Sequence, residues 1–183
     1  IRPVDDSCCW RLNGEMPVAQ LELISTTDIE PAQKATLYGP FQSRREARSR
    51  LNELIKLNGL CPAALGLEKM LPQQACSARK LKQCKGACTG DEPLLAHAMR
   101  TVGVLSKLKL APWPLTGPAI VREGDVVHVV AHWRYLGSAR NEAEIAECLQ
   151  TPLPSFDRET YRVLLKASAS LQPLPAQFSA PAF

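Results

Sequence analysis

Apolar residues recur along this chain in two rhythms, and each rhythm predicts its own elements. Near the start, Cys8–Leu12 and Val18–Ile24 read as two short strands. Between them Asn13-Gly14 is a hairpin signal that Met16-Pro17 lengthens into a loop. A polar link containing Pro31 follows, and then a helix with clear punctuation. Ser43 stands at its N-cap and Glu46 three residues on, which predicts a capping box. Ala47, Leu51, Leu54 and Ile55 form the inward stripe, with Leu57 at its edge, and Asn58-Gly59 is the stop. Thr89 and Glu92 predict a second capping box, opening a helix through Leu94, Leu95, Ala98, Val102, Leu105 and Leu108.

The proline-rich run at 111–118 breaks this pattern and predicts a subdomain boundary. Beyond it, PAIVRE, a turn at Gly124-Asp125 and VVHVVAHWRYLG predict a β-hairpin. Period two would then put His128, His132 and Arg134 on one face. Asn141 and Asp157 cap two further short helices, over 141–150 and 157–169. The expected class is α+β: a small mixed domain with short hairpins, several helices and a four-cysteine segment. The expected division is a strand-rich part at 1–42, a basic helix pair at 43–110, a hairpin with two helices at 111–169, and a disordered tail at 170–183.

Composition changes this picture in one respect. Aromatic residues make up 5% of the chain, so Leu, Val, Ile and Ala must build its core. No apolar run approaches the length of a membrane span, and the N-terminus lacks the features of a secretory leader. A cytoplasmic location without membrane contact is expected. The chain opens at Ile1 without an initiating Met and is read as a fragment. Its net charge of +4 is unevenly spread, since residues 43–109 hold thirteen Lys/Arg against five Asp/Glu, a net of +8, which leaves −4 for the rest. A regional excess of this kind suits a polyanion-facing surface. Arg44, Arg45 and Arg48 lie in the first two turns of the first long helix, where the helix dipole disfavours cations. A negatively charged partner explains them better than stability does. With Arg79, Lys80, Lys82 and Lys85 they are the candidate nucleic-acid contacts.

Candidate chemistry is concentrated in Cys61, Cys76, Cys84 and Cys88, spaced C-x14-C-x7-C-x3-C. Seven cysteines without a secretory leader argue against a disulfide framework, so the clustered ones are expected to be metal ligands. Neighbouring Arg79, Lys80, Lys82 and Lys85 are expected to favour the thiolates, and Gly86 to let the backbone turn. Cys8, Cys9 and Cys148 read as small buried hydrophobes, and His97 as a packing residue rather than a ligand. The chain carries no dinucleotide fingerprint, P-loop, zinc-protease helix or nucleophile elbow, and no self-contained catalytic site.

The run from LYGPF through SRREARSRLNELIKLNGLC to CKGACTGDE resembles the bacterial excision-repair nucleases of the UvrC group. Gly39-Pro40-Phe41, Ser43 and the C-x-G-x-C of Cys84–Cys88 carry the likeness. The later segments APWPLTGPAIVREGD, HWRYLGSA and PSFDRETYRVLLK are similar to those of the shorter UvrC homologue Cho and of its fusions to a proofreading-type exonuclease. The resemblance implies a role in nucleotide excision repair. In the family, a GIY-YIG domain makes the 3′ incision after a damage-loading helicase subunit has marked the site. That domain, with its catalytic Tyr, Arg and Glu-held divalent cation, would precede Ile1, so this chain is expected to grip duplex DNA and to cut nothing alone. The resemblance further implies a [4Fe–4S] cluster on the four cysteines, with zinc as the alternative. The rival readings are part of an exonuclease fusion and a stand-alone binding module.

Overall fold

The computed structural model describes residues 6–31, 36–70, 74–175 and 177–178. They form two compact units, the first built from residues 1–25 and 34–110, the second from 26–33 and 111–183. Helices and two small antiparallel sheets are both present, as the α+β expectation requires.

The first unit opens with the expected hairpin, β1 (Cys8–Asn13) against β2 (Gln20–Ser25), with Trp10 opposite Leu23 and Leu12 opposite Leu21. A third strand, β3 (Thr36–Phe41), pairs with the other edge of β1, giving the order β2-β1-β3. This strand was not expected, because Gly39-Pro40 reads as a breaker. On an edge strand, however, a proline need not donate to a ladder. Pro40 also sits where the register against β1 shifts between Cys8 and Trp10.

The next helix, α1 (Arg44–Asn58), lays Ala47, Leu51 and Ile55 on this sheet, in one core with Trp10, Leu21, Tyr38 and Phe41. The Trp10 indole Nε1 donates to the Ala47 carbonyl at 3.2 Å, so the largest ring of that core also satisfies its polar edge. A shared core means that residues 42 and 43 mark no boundary. Short helix α2 (Ser77–Lys80) follows, then α3 (Leu94–Leu105), whose Leu105 returns to the same core. Leu110 N–H donates to Leu37 O at 2.9 Å and closes the unit back onto β3.

The second unit departs further from the expected hairpin. Strands β4 (Ala119–Glu123), β5 (Val126–Ala131) and β6 (Arg134–Ala139) form a meander, not a two-stranded hairpin. The chain turns at His132-Trp133, both at positive φ (48° and 62°), as a two-residue hairpin turn demands. His132 therefore lies in the turn and shares no strand face with His128. Neither residue is Gly, Asn or Asp, so the usual turn signal was missing. Helices α4 (Glu142–Gln150) and α5 (Arg158–Lys166) begin where Asn141 and Asp157 place them, each cap accepting an N–H three residues on, at 3.0 and 2.6 Å. Ile145 and Leu149 cover Ile120, Val127, Val129 and Leu136.

The proline-rich run is pinned rather than loose. Ala111 donates to the Tyr161 hydroxyl and accepts from Trp133 Nε1, both at 2.9 Å. Residues 26–31 belong to this unit, and the Ile29 carbonyl accepts from the buried Arg134 guanidinium. The expected disordered tail is corrected in part. Strand β7 (Gln172–Pro173) pairs with β4, and Phe178 packs on the unit's core, while residues 176 and 179–183 lie outside the described residues.

Candidate metal centre and its basic surroundings

The first of the four cysteines is delivered by the end of α1. Gly59 takes the left-handed conformation, at φ 62°, and its N–H caps Ile55 O. Leu60 is then fully buried and Cys61 follows at once. From the facing helix, His97 Nε2 accepts the Cys61 backbone N–H at 2.9 Å. That bond requires a neutral ring with its proton on Nδ1. Burial, and then the nearby Arg100, hold the His97 pKa below the ordinary value against the pull of Glu92. Arg100 makes a two-pronged contact with Glu92 and donates to Gly59 O at 3.1 Å, tying α3 to the end of α1. Sequence reasoning placed His97 as a packing residue but did not identify this positioning role. Its trace was the polar pair His97 and Thr101 on the inward side of the helix, beside Ala98 and Leu105.

The other three cysteines come from the segment between α1 and α3. Cys76 caps α2, its sulfur accepting from Arg79 N–H at 3.3 Å. Cys84 Sγ accepts from Gly86 N–H at 3.3 Å, and Cys61 Sγ from Ala64 N–H at 3.5 Å. Gly86 has a φ of 91°, and a Cβ there would lie 2.6 Å from Asp91 Oδ2. The sharp turn needs glycine. Thr89 and Glu92 do not form the expected capping box. Thr89 Oγ1 lies within hydrogen-bonding distance of Gly86 O and, closer, of Asp91 Oδ2, Glu92 is held by Arg100, and Pro93 precedes α3 without a side-chain cap.

The four sulfurs all lie within 4.8 Å of one another, with Cys61 and Cys76 3.8 Å apart. Cys61 and Cys76 are fully buried, Cys84 is nearly so and Cys88 is half-buried. A convergent set of four soft ligands with three backbone N–H groups aimed at the sulfurs can hold a metal.

The expected electrostatic cause is corrected at Cys61, Cys76 and Cys88, where burial and hydrogen bonds, not the Lys/Arg charges, set the shifts. Burial raises the Cys61 pKa and pushes Cys76 up to about 11, against the Ala64 and Arg79 backbone N–H groups that lower them. Cys84 and Cys88 add to both rises, while the Cys61 side chain lowers Cys76. At Cys88 burial also acts upward. Hydrogen bonds from the Cys76 backbone and from the Cys76, Cys61 and Cys84 side chains outweigh it and lower the pKa. In a buried four-thiol set, metal binding itself must displace the protons.

The basic residues divide into two groups. Lys80, Lys82 and Lys85 are exposed around the cysteine segment. Arg79 is committed within it, to Asp91 at 2.6 Å and to Cys84 O at 3.2 Å. Arg44, Arg45 and Arg48 are exposed at the start of α1, Arg44 standing 3.9 Å from Asp6. The Lys85 stem lies against Gly59 at the other end of the same helix. A helix of 15 residues is about 22 Å long, which sets the spacing of the two groups. Of the tyrosines, Tyr38 and Tyr161 are buried, and Tyr135 is exposed, its hydroxyl 3.2 Å from His128 Nδ1. No helix among the described residues is long and apolar enough to cross a membrane.

Residues 8–107 match the UvrC/Cho excinuclease middle domain, and residues 118–178 match the excinuclease Cho C-terminal domain. Excinuclease Cho of Salmonella typhi is 32% identical over 157 residues, covering 84% of this chain and 53% of that protein. Excinuclease Cho of Escherichia coli K12 is 29% identical over 163 residues, covering 87% and 54%. The chain thus spans about half the length of the curated relatives it matches. No solved structure matches it. Two successive family domains account for nearly all the described residues, and this chain belongs to the UvrC/Cho excinuclease family.

Proposed function

We propose that this chain is the DNA-gripping, metal-bearing part of a nucleotide-excision-repair endonuclease. Incision 3′ of a lesion belongs to a GIY-YIG domain, and a damage-loading helicase subunit is the protein partner. The observation that carries the reading is the convergence of Cys61, Cys76, Cys84 and Cys88 inside a basic unit. The metal fixes a segment that offers little apolar surface of its own, and that segment presents Lys80, Lys82 and Lys85 to the phosphate backbone.

The sulfur spacing bears on which metal is held. A single tetrahedral ion with metal–sulfur bonds of about 2.3 Å places its thiolates roughly 3.8 Å apart. The Cys61–Cys76 separation is 3.8 Å. In a [4Fe–4S] cubane each thiolate binds a different iron, so the sulfurs stand farther apart. That spacing suits one tetrahedral ion such as zinc, whereas the [4Fe–4S] cluster that the family resemblance implies would require the sulfurs to spread.

Metal analysis of anaerobically purified protein tests this. About one zinc per chain and no visible colour are expected for a four-thiolate site. About four irons with broad visible absorbance would restore the cluster and require the four sulfurs to spread. Cys84→Ser should abolish the bound metal and Cys148→Ser should leave it unchanged. Equal metal content in the two variants would remove the ligand assignment altogether.

A further inference from the structure

The four thiols are not equally protected, and the difference has a direction. Cys61 and Cys76 are fully buried and Cys84 is 4% exposed. Each of these three sulfurs receives a backbone N–H. Cys88 is half-buried and stands in the wall of an open cavity of about 520 Å³. Ala63, Ala64, Met70, Ala87 and Leu94 supply most of the remaining lining, and among the described residues no charged side chain contributes to it. Of the four cysteines, Cys88 is the one that lines this cavity. Its size approaches that of a small-molecule site, and its walls suit an uncharged guest.

We propose that Cys88 is the entry point to the metal centre, a modification site for small, uncharged, soft electrophiles that reach it through this cavity. The proposal rests on the metal reading above. A metal-bound thiolate keeps a lone pair directed away from the ion and remains nucleophilic when reagents can approach it. In the step proposed, the Cys88 sulfur attacks the electrophilic carbon and a C–S bond forms. The leaving group departs with its bonding pair, and the metal–sulfur bond is lost. Three ligands then remain, and the metal is released. The segment between α1 and α3 loses the order that the metal supplied. Chemical attack at one edge of the site thereby becomes loss of the surface that carries Lys80, Lys82 and Lys85.

Iodoacetamide is a suitable probe, being small and neutral, with iodide as leaving group. Metal-loaded protein is treated, the modification of each cysteine is followed by peptide mass spectrometry, and released metal is followed with a chromogenic chelator. Cys88 should react at least about tenfold faster than Cys61, Cys76 and Cys84, in step with metal release. Ala63→Leu, which narrows the cavity, should slow Cys88 modification several-fold at unchanged metal content. Leu94→Ala, which widens it, should speed the reaction, so a failure of the first variant to fold leaves a second measurement. Metal-bearing protein whose Cys88 reacts no faster than the other three overturns the entry route and leaves the metal reading standing. Protein that carries no metal yet alkylates Cys88 first overturns the metal reading and keeps the route.

Discussion

His97 shows how a residue can order a candidate metal site without being one of its ligands. Its Nε2 accepts the backbone N–H of Cys61, the one ligand that arrives from α1 instead of from the intervening segment. With His97→Leu that buried N–H has no partner, a loss of about 1–3 kcal/mol. The same bond makes stability depend on pH. Burial lowers the His97 pKa in the folded state, whereas the unfolded chain titrates near 6.5. Between those two values the unfolded state binds more protons, so stability rises with pH across that window and is lost as pH falls below about 6.5. Urea unfolding at pH 5 and pH 7 should show a larger drop for the native protein than for His97→Leu. The difference between the two proteins is the quantity to read, because metal release in acid acts on both. Equal drops would mean that His97 is not held neutral by this environment.

At the scale of elements, what could be read from the sequence depended on whether the signal was local. The cap and stop of α1 are chemical and lie within a few residues of the ends they fix. Ser43 Oγ accepts from Glu46 N–H at 3.2 Å, and Gly59 ends the helix in the left-handed conformation. The Glu46 carboxylate reaches back to Gln42 N–H at 2.7 Å, one residue earlier than a standard box. Ser43→Ala should therefore lower stability by about 1 kcal/mol. A shift in the urea midpoint with unchanged slope would report it, and no shift would mean that water replaces the cap. Strand β3 and the turn at His132-Trp133 were hidden for the opposite reason. Pro40 is acceptable only because β3 lies at a sheet edge, and Trp133 tolerates positive φ where its ring packs edge-on against Trp113 and Tyr161, at 5.1 and 5.4 Å. Those are tertiary facts that no short window of sequence contains. The candidate metal site falls between the two cases. The four cysteines were legible as a set, but their protection by burial and the cavity at Cys88 depend on residues as distant from it as Ala63.

Over the whole molecule, charge separates along the same lines as the fold. The first unit holds sixteen Lys/Arg against nine Asp/Glu and the second six against nine, net charges of +7 and −3. A polyanion should therefore engage the first unit, and at two places. One is the start of α1 with Arg44, Arg45 and Arg48, and the other is the cysteine segment with Lys80, Lys82 and Lys85. Arg79 contributes less than its charge suggests, because Asp91 and the Cys84 carbonyl already hold it. If about four of the exposed cations meet phosphates, log K for duplex DNA should fall with log salt at a slope of roughly −3.6. Charge reversal at Arg44, Arg45 and Arg48 should flatten that slope. The same change at Arg158 and Arg162, which share Glu159 in the acidic unit, should not. If the four cysteines hold a metal, removing it should separate the two places, disordering the segment that bears the lysines and leaving α1 on its own core. Metal-free protein should keep the part of the slope that depends on the arginines and lose the rest. A slope near zero, or one that these reversals leave untouched, would reduce the basic unit to a solvated surface and remove DNA from its partners.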